Sequence, residues 1–267
     1  MVQQLSLFGS INDDSYDLFV STITTLSGTP PILFSKLSTN WKPNPQYDIE
    51  GTNAKNQLVE PNRINLHREL TLDQLRLQEE PAQFDYNILK KINQDHAPFD
   101  LTLLDKILKE CNTNGDDKKH KSWVFSMSDI PATGNNRKVS VQTIYESLIT
   151  STAGIDSSIT KFMNELAYVY EYSYITVGVK FYLRHELLIE VCKIWNIISD
   201  GQVSTSSQVT SGGYLIKAYV DVNKSTDIDR INYAENILVN LQKELQGYVD
   251  LITPDRKSMD SRLGYGI

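Results

Sequence analysis

Four tyrosines, Tyr168, Tyr170, Tyr172 and Tyr174, alternate with Val169, Glu171, Ser173 and Ile175. In an unbroken strand that spacing lines four phenol rings along one face. An exposed row of this kind is a stacking platform or a protein-binding surface, whereas a row facing its sheet neighbours is a cross-strand aromatic ladder. Neighbouring segments are equally apolar, so the ladder is the expected reading. Tyr170, Tyr172, Tyr174 and Trp195 are still the candidate partner-binding residues, because large aromatics dominate interface energetics.

Hydrolytic chemistry finds less support. His185 and Glu186 look like the start of a zinc-protease motif, but the second histidine would have to stand at Ile189, and the segment reads as strand. The four histidines, His67, His96, His120 and His185, have no metal-ligand spacing. A β-barrel that hydrolyses triphosphates in a tunnel needs glutamates two apart on an inward-facing strand, with basic residues for the phosphates. The pattern Glu-x-Glu-x-Lys is absent. Glu186 and Glu190 are expected on one strand face, too far apart for a compact acidic pair, and read as the solvated side of a half-buried strand. No Gly-rich phosphate loop or nucleophile elbow occurs, and Ser211, Gly212 and Gly213 read as a turn. The expectation is no catalytic residue, no metal and no cofactor.

The elements that would position these side chains are mostly strands. Residues 2 to 8 read as a first strand. A helix follows with Tyr16, Phe19, Val20, Ile23 and Leu26 on its apolar side, stopped by Gly28, Pro30 and Pro31. Strand signals recur at 32–37, 58–66, from Trp123, and then as YVYEYSYITVGVKFYL (168–183), ELLIEVCKIW (186–195) and YLIKAYVDV (214–222). Short turns between them indicate antiparallel pairing. Helices are predicted at 100–110, 156–166 and 227–246. The last has capping-box spacing at Thr226 and Asp229, an apolar face of Ile228, Ile231, Ala234, Leu238, Leu241 and Leu245, and a stop at Gly247, after which the chain reads as a returning strand. The fold class is mainly β with some helix: a many-stranded antiparallel barrel flanked by helices. No linker divides residues 1–267, so one domain is expected, with a polar loop at about 111–121. The basic residues within 118–121 read as solvated loop rather than as a nuclear signal.

Composition narrows the functional classes. Twenty-six basic against 33 acidic residues give a net charge of -7, which argues against a duplex-binding surface and favours a protein or small-molecule partner. Two cysteines, Cys111 and Cys192, give no disulfide framework or metal spacing and fit a reducing compartment. The N-terminus does not read as a secretory signal, and no stretch is apolar enough to span a membrane. Fourteen tyrosines against eight phenylalanines suggest many half-wet surfaces, interfaces among them.

With these segments in view, LVEPNRINL (58–66), DIPATGNNRKVSVQTI (129–144), YVYEYSYITVGVKFYL (168–183), QVTSGGYLIKAYVDV (208–222) and the stretch 226–262 resemble the fungal Mediator subunit 18 family. The likeness covers the first ninth of the chain and nearly everything after residue 122. Residues 67–121 depart most, being shorter than the acidic insertion of yeast members. The resemblance implies a barrel related to that of the triphosphate tunnel enzymes but without their catalytic residues. It also implies a non-enzymatic structural subunit of the Mediator head, paired with Mediator subunit 20 and tethered by the C-terminal helix of subunit 8. Such a subunit would act as a coactivator of RNA polymerase II initiation in the nucleus, with no direct contact to nucleic acid or membrane. A metal-dependent triphosphate hydrolase is the alternative.

Overall fold

The computed structural model describes residues 1–47, 61–71, 74–75, 87–91, 102–109, 122–134, 136–150, 158–199 and 204–262. The expected polar loop at 111–121, with Cys111, His96 and His120, lies outside them. Among the described residues nine strands are formed: β1 (Val2–Asn12), β2 (Ile32–Pro43), β3 (Ile64–Glu69), β4 (Trp123–Ser128), β5 (Ser140–Ile149), β6 (Tyr168–Tyr182), β7 (Leu188–Ser199), β8 (Ser204–Gln208) and β9 (Gly213–Val222). Their order is β6-β2-β3-β4-β5-β1-β9-β7, and β7 pairs back onto β6, so eight antiparallel strands close a barrel. The short β8 pairs with β7 from Trp195 onward, beyond the Leu188–Cys192 stretch that pairs with β9.

Alternation sorts the side chains of these strands onto two surfaces. One carries Leu5, Leu7, Leu37, Leu66, Ile175, Val177, Ile189, Trp195, Ile216 and Ala218, all at 0 % exposure. Helices cover this surface, so it faces outward. The N-terminal helix, Tyr16–Ser27, buries Tyr16, Phe19, Val20 and Ile23 against it and stacks Tyr16 on Tyr214 with ring centroids 4.3 Å apart. That helix ends at Gly28, whose φ of 71° is the left-handed conformation that glycine adopts without strain. Three short helices, Ile88–Lys91, Thr102–Lys109 and Ile159–Glu165, add Leu89, Leu104, Ile107, Ile159 and Met163 to the same layer. Each such aliphatic side chain contributes about 1.5–3 kcal/mol when withdrawn from water. The main core therefore lies between barrel wall and helices.

The C-terminal helix, Ile228–Glu244, buries Ala234, Leu238 and Leu241 over β9 and β1. Its cap is Asp227, whose carboxylate accepts the Arg230 N–H at 3.1 Å, one residue after the expected Thr226. A direct carboxylate bond to the third helical amide satisfies the same unpaired donor more strongly than a hydroxyl. The apolar face also begins later than its periodicity implies, because Ile228 is 69 % exposed at the helix start. Beyond Gly247 the chain returns along β1, but the expected strand is reduced to one bridge in which Phe8 and Ile252 exchange backbone hydrogen bonds of 2.9 and 2.7 Å. Gly9 permits that approach: a Cβ there would stand 2.8 Å from Val249. Among the described residues no helix is long and apolar enough to cross a membrane.

Candidate protein-binding surface and barrel interior

The tyrosine row is broken in two. Opposite β2, Asn40 pairs with Tyr172 but Trp41 pairs with Tyr170, leaving Glu171 as an extra residue in a β-bulge. The bulge is pinned by Arg63, whose guanidinium donates to both Glu171 carboxylate oxygens at 2.7 and 3.2 Å. Charge-assisted forks of this kind are among the stronger polar contacts, and Glu171 correspondingly raises the Arg63 pKa. Register past the bulge turns Tyr170 outward, edge-on to Trp41 at 5.7 Å, with its hydroxyl donating to Ser173 at 2.8 Å. Tyr168 packs beside it. Tyr172 and Tyr174 stay on the opposite, inward-facing side near one mouth of the barrel, 6.4 Å apart, and Tyr172 is 41 % exposed. Trp195 is fully buried in the outer core. Of the four candidate aromatics, then, Trp195 belongs to the core of this chain, Tyr170 packs at its margin, and Tyr172 and Tyr174 form a separate pair reaching solvent. Neither nearby lysine stands beside them: Lys180 pairs with Glu190 at 2.7 Å, and Lys193 pairs with Asp13 at 2.9 Å with its side chain only 3 % exposed.

The inward-facing surface is polar. Cross-strand register carries one row from Phe8 to Lys217, Glu190 and Lys180, with Lys36 and His67 on the same face of β2 and β3. Groups on strands two or three apart around the closed sheet influence one another across the lumen: Lys36 acts on Glu190, Lys217 and Cys192, and Glu190 acts on His67. Glu190 is not on a solvated outer face, as the sequence suggested, and it shares no strand with Glu186. Glu186 lies in the turn before β7 and is bonded to Arg230 at 2.5 Å. Which strand face is wet depends on the helices wrapped outside, and alternation alone does not reveal that. The Glu190 carboxylate accepts from Lys180 at 2.7 Å and from the Tyr219 hydroxyl at 2.9 Å. Burial works to raise its pKa, but the attraction of Lys180 prevails and lowers it. Its inward neighbours on β7 are Leu188 and Cys192, so β7 offers the lumen one carboxylate where a triphosphate hydrolase needs two. Among the described residues no group of three His, Cys, Asp or Glu could hold a metal ion.

His67 gives the lumen a measurable signature. Burial, reinforced by Lys36, drives its pKa from 6.5 down to about 4. Below 6.5 the unfolded chain takes up a proton that the folded chain refuses, so stability falls with pH through that window at up to about 1.4 kcal/mol per unit. Denaturant midpoints measured from pH 7 to 4 are expected to show roughly 2–3 kcal/mol of this loss in the native chain, and a correspondingly shallower slope in His67→Asn. Parallel slopes in the two proteins would exclude a buried neutral His67.

A groove of about 390 Å³ lies outside the barrel, where Leu26, Leu183, Leu187, Tyr233, Ile237 and Leu241 meet. Its floor is the β6–β7 turn, in which His185 and Glu186 adopt positive φ values of 64° and 62°. Such backbone is uncommon outside glycine and is held here by the C-terminal helix: Tyr233 lies 2.7 Å from His185 Nδ1, and Arg230 bonds Glu186. The groove joins Leu26 to a turn and a helix that lie more than 150 residues later in the sequence, and periodicity within each gave no sign of it beyond Leu26, expected to be buried yet 46 % exposed.

Comparison with known proteins bears on the whole chain. The family described as Med18 protein matches residues 3–262. A relative from Saccharomyces cerevisiae named Mediator of RNA polymerase II transcription subunit 18 is 46 % identical over 309 aligned residues, covering 100 % of this chain and 99 % of its own. A relative of the same name from Kluyveromyces lactis is 41 % identical, covering 99 % of each chain. Among solved structures, a chain of the Schizosaccharomyces pombe Mediator head module superposes with a TM-score of 0.58 at 12 % identity, covering 94 % of this chain and 98 % of that one. That likeness is one of fold.

Proposed function

From the premise that this chain belongs to the Med18 family, we propose that it is a structural subunit of the Mediator head module that acts through contacts and catalyses no reaction. The family match over residues 3–262 and the coverage of 99 % of the Saccharomyces cerevisiae relative carry the reading. In this proposal the barrel lies beside Mediator subunit 20, a C-terminal helix of subunit 8 tethers the pair to the rest of the head, and the assembly serves RNA polymerase II initiation in the nucleus. Tyr172 and Tyr174 are the proposed partner-facing aromatics, since they reach solvent as a rigid pair of rings, the kind of group that concentrates binding energy at an interface. The lone, fully engaged Glu190 supports contact over catalysis.

Co-expression with subunit 20 and the subunit 8 helix from the same source, followed by light scattering, is expected to yield the mass of a one-to-one-to-one complex. Tyr172→Ala is expected to weaken that complex while leaving the melting temperature of the isolated chain unchanged. A chain that stays monomeric beside both partners would overturn the assembly reading. A fall in melting temperature without loss of binding would return Tyr172 to the core.

A further inference from the structure

Beyond the bridge between Phe8 and Ile252 the chain runs along one mouth of the barrel, and no side chain from 252 to 262 is buried. Hydrogen bonds hold it down instead. Thr133 Oγ1 donates to the Pro254 carbonyl at 2.7 Å, and Thr253 Oγ1 to the Gly134 carbonyl at 3.3 Å. Past the single helical turn Arg256–Met259, Gln142 Nε2 donates to the Met259 carbonyl at 3.2 Å. Ser128 Oγ donates to Ser261 Oγ at 3.2 Å, and Ser261 Oγ donates back to the Ser128 carbonyl at 3.3 Å. Gln142 and Ser128 face inward: Gln142 follows Val141, which pairs with outward Leu5, and Ser128 pairs with Ile144, two residues on from Gln142. The same mouth carries the tyrosine pair, since register runs from Tyr172 through Asn40 and Asn65 to Ser126, one inward position short of Ser128. The last anchor is Arg63. Its backbone N–H donates to the Ser261 carbonyl at 3.0 Å, and its Nη1 to the Arg262 carbonyl at 3.3 Å. The same guanidinium forks onto Glu171 and pins the bulge.

A segment fixed in this way can leave without disturbing the core. Each partly wet hydrogen bond exchanges a protein partner for water at little net gain, and the entropy of ordering the backbone opposes it. Elements with few buried apolar contacts open while the rest of a protein stays folded. We propose that residues 253–262 form a releasable strap along the β3–β5 side of the tyrosine-bearing mouth. Arg63 sets its balance, because one guanidinium serves both the Glu171 bulge and the strap. Closed, the strap occupies Ser128 and Gln142. Open, it frees the Ser128 hydroxyl and one amide N–H of Gln142 at the mouth that carries Tyr172 and Tyr174, so one mouth presents two rims of different chemistry. The Arg262 guanidinium bonds Asp260 at 2.6 and 2.9 Å, a pair that lies wholly within the strap and moves with it. This device belongs to the isolated chain and is independent of the assembly reading.

The test follows backbone amide exchange by NMR in the full chain under native conditions. Three amides report on the strap: Asp260, bonded to the Arg256 carbonyl, Arg262, bonded to the Asp260 carboxylate, and Arg63, bonded to Ser261. They are expected to exchange about a hundredfold faster than the amides in the middle of β6, with little dependence on added denaturant, because a single helical turn does not persist unsupported. Arg63→Met and Ser261→Ala, which remove different anchors, should each speed the three amides about three- to tenfold. Glu171→Gln leaves the strap's own bonds in place and should still speed them through Arg63. Gly178→Ala weakens the barrel and not the strap, so it should speed the β6 amides and leave the three strap amides unchanged. Strap amides that follow β6 in Gly178→Ala, or that ignore both Arg63→Met and Ser261→Ala, would overturn the strap. An unchanged rate in Glu171→Gln would overturn the link through Arg63.

Discussion

Trp195→Ala will lower stability by about 3–5 kcal/mol, a large share of the 5–15 kcal/mol typical of a folded domain. The indole sits in the outer core at 0 % exposure, on a strand that pairs with β6 on one side and β8 on the other. Alanine leaves a cavity that two hydrogen-bonded strands cannot collapse to fill. The milder Trp195→Phe should cost much less than alanine. The indole Nε1 has no hydrogen-bond partner, so phenylalanine keeps most of the packing and discards an unsatisfied buried donor. Tyr172→Ala, in contrast, should stay within about 0.5 kcal/mol of the native chain. Chemical denaturation of the three variants ranks them directly, and a Trp195→Ala protein as stable as Tyr172→Ala would refute the outer-core assignment.

Gly178→Ala should be the most damaging addition of a single methyl group. The position is buried in the middle of β6, and a Cβ would stand 2.5 Å from the Val191 carbonyl oxygen, 2.6 Å from Cys192 Cβ and 2.9 Å from the Phe34 ring. Glycine to alanine in a strand ordinarily gains stability through the unfolded state, by about 0.4–1 kcal/mol. Here the methyl has to push β7 off β6 or displace Phe34, over which Lys180 is poised at 5.4 Å. Overpacking of this kind costs about 1–3 kcal/mol or more and outweighs the entropic gain. The variant is expected to unfold at lower denaturant with an unchanged slope. A rise in the midpoint would mean that the strands part more readily than their register implies.

Most of the strands and both long helices could be read from alternation and from 3.6-residue spacing, because those patterns are set by residues within each element. What escaped prediction depends on distant partners. The bulge at Glu171 is invisible in YVYEYSY, since it exists only relative to Asn40 and Trp41 and is fixed by Arg63 more than 100 residues away. Four tyrosines predicted on one face thus became two pairs on opposite faces. Glu190 looked like an ordinary solvated residue because barrel closure, which decides inside from outside, is a property of the whole sheet. Strand β8, STSSQ, went unseen because its serines and threonine carry no apolar alternation. The family resemblance placed the chain correctly without resolving any of these points.

Closure also fixes an order of events in time. Strand β1 is the first to be synthesised, yet its two neighbours are β5 and β9, and β9 ends at Val222, near the end of the chain. Ribosomal synthesis therefore releases a strand whose second partner does not yet exist, and the ring cannot close until most of the polypeptide has emerged. Pairings this distant in sequence form slowly compared with local ones. During that wait Leu5 and Leu7 lack both β9 and the C-terminal helix that later covers them. The newborn chain passes through a sticky adolescence, when holding chaperones have most to protect.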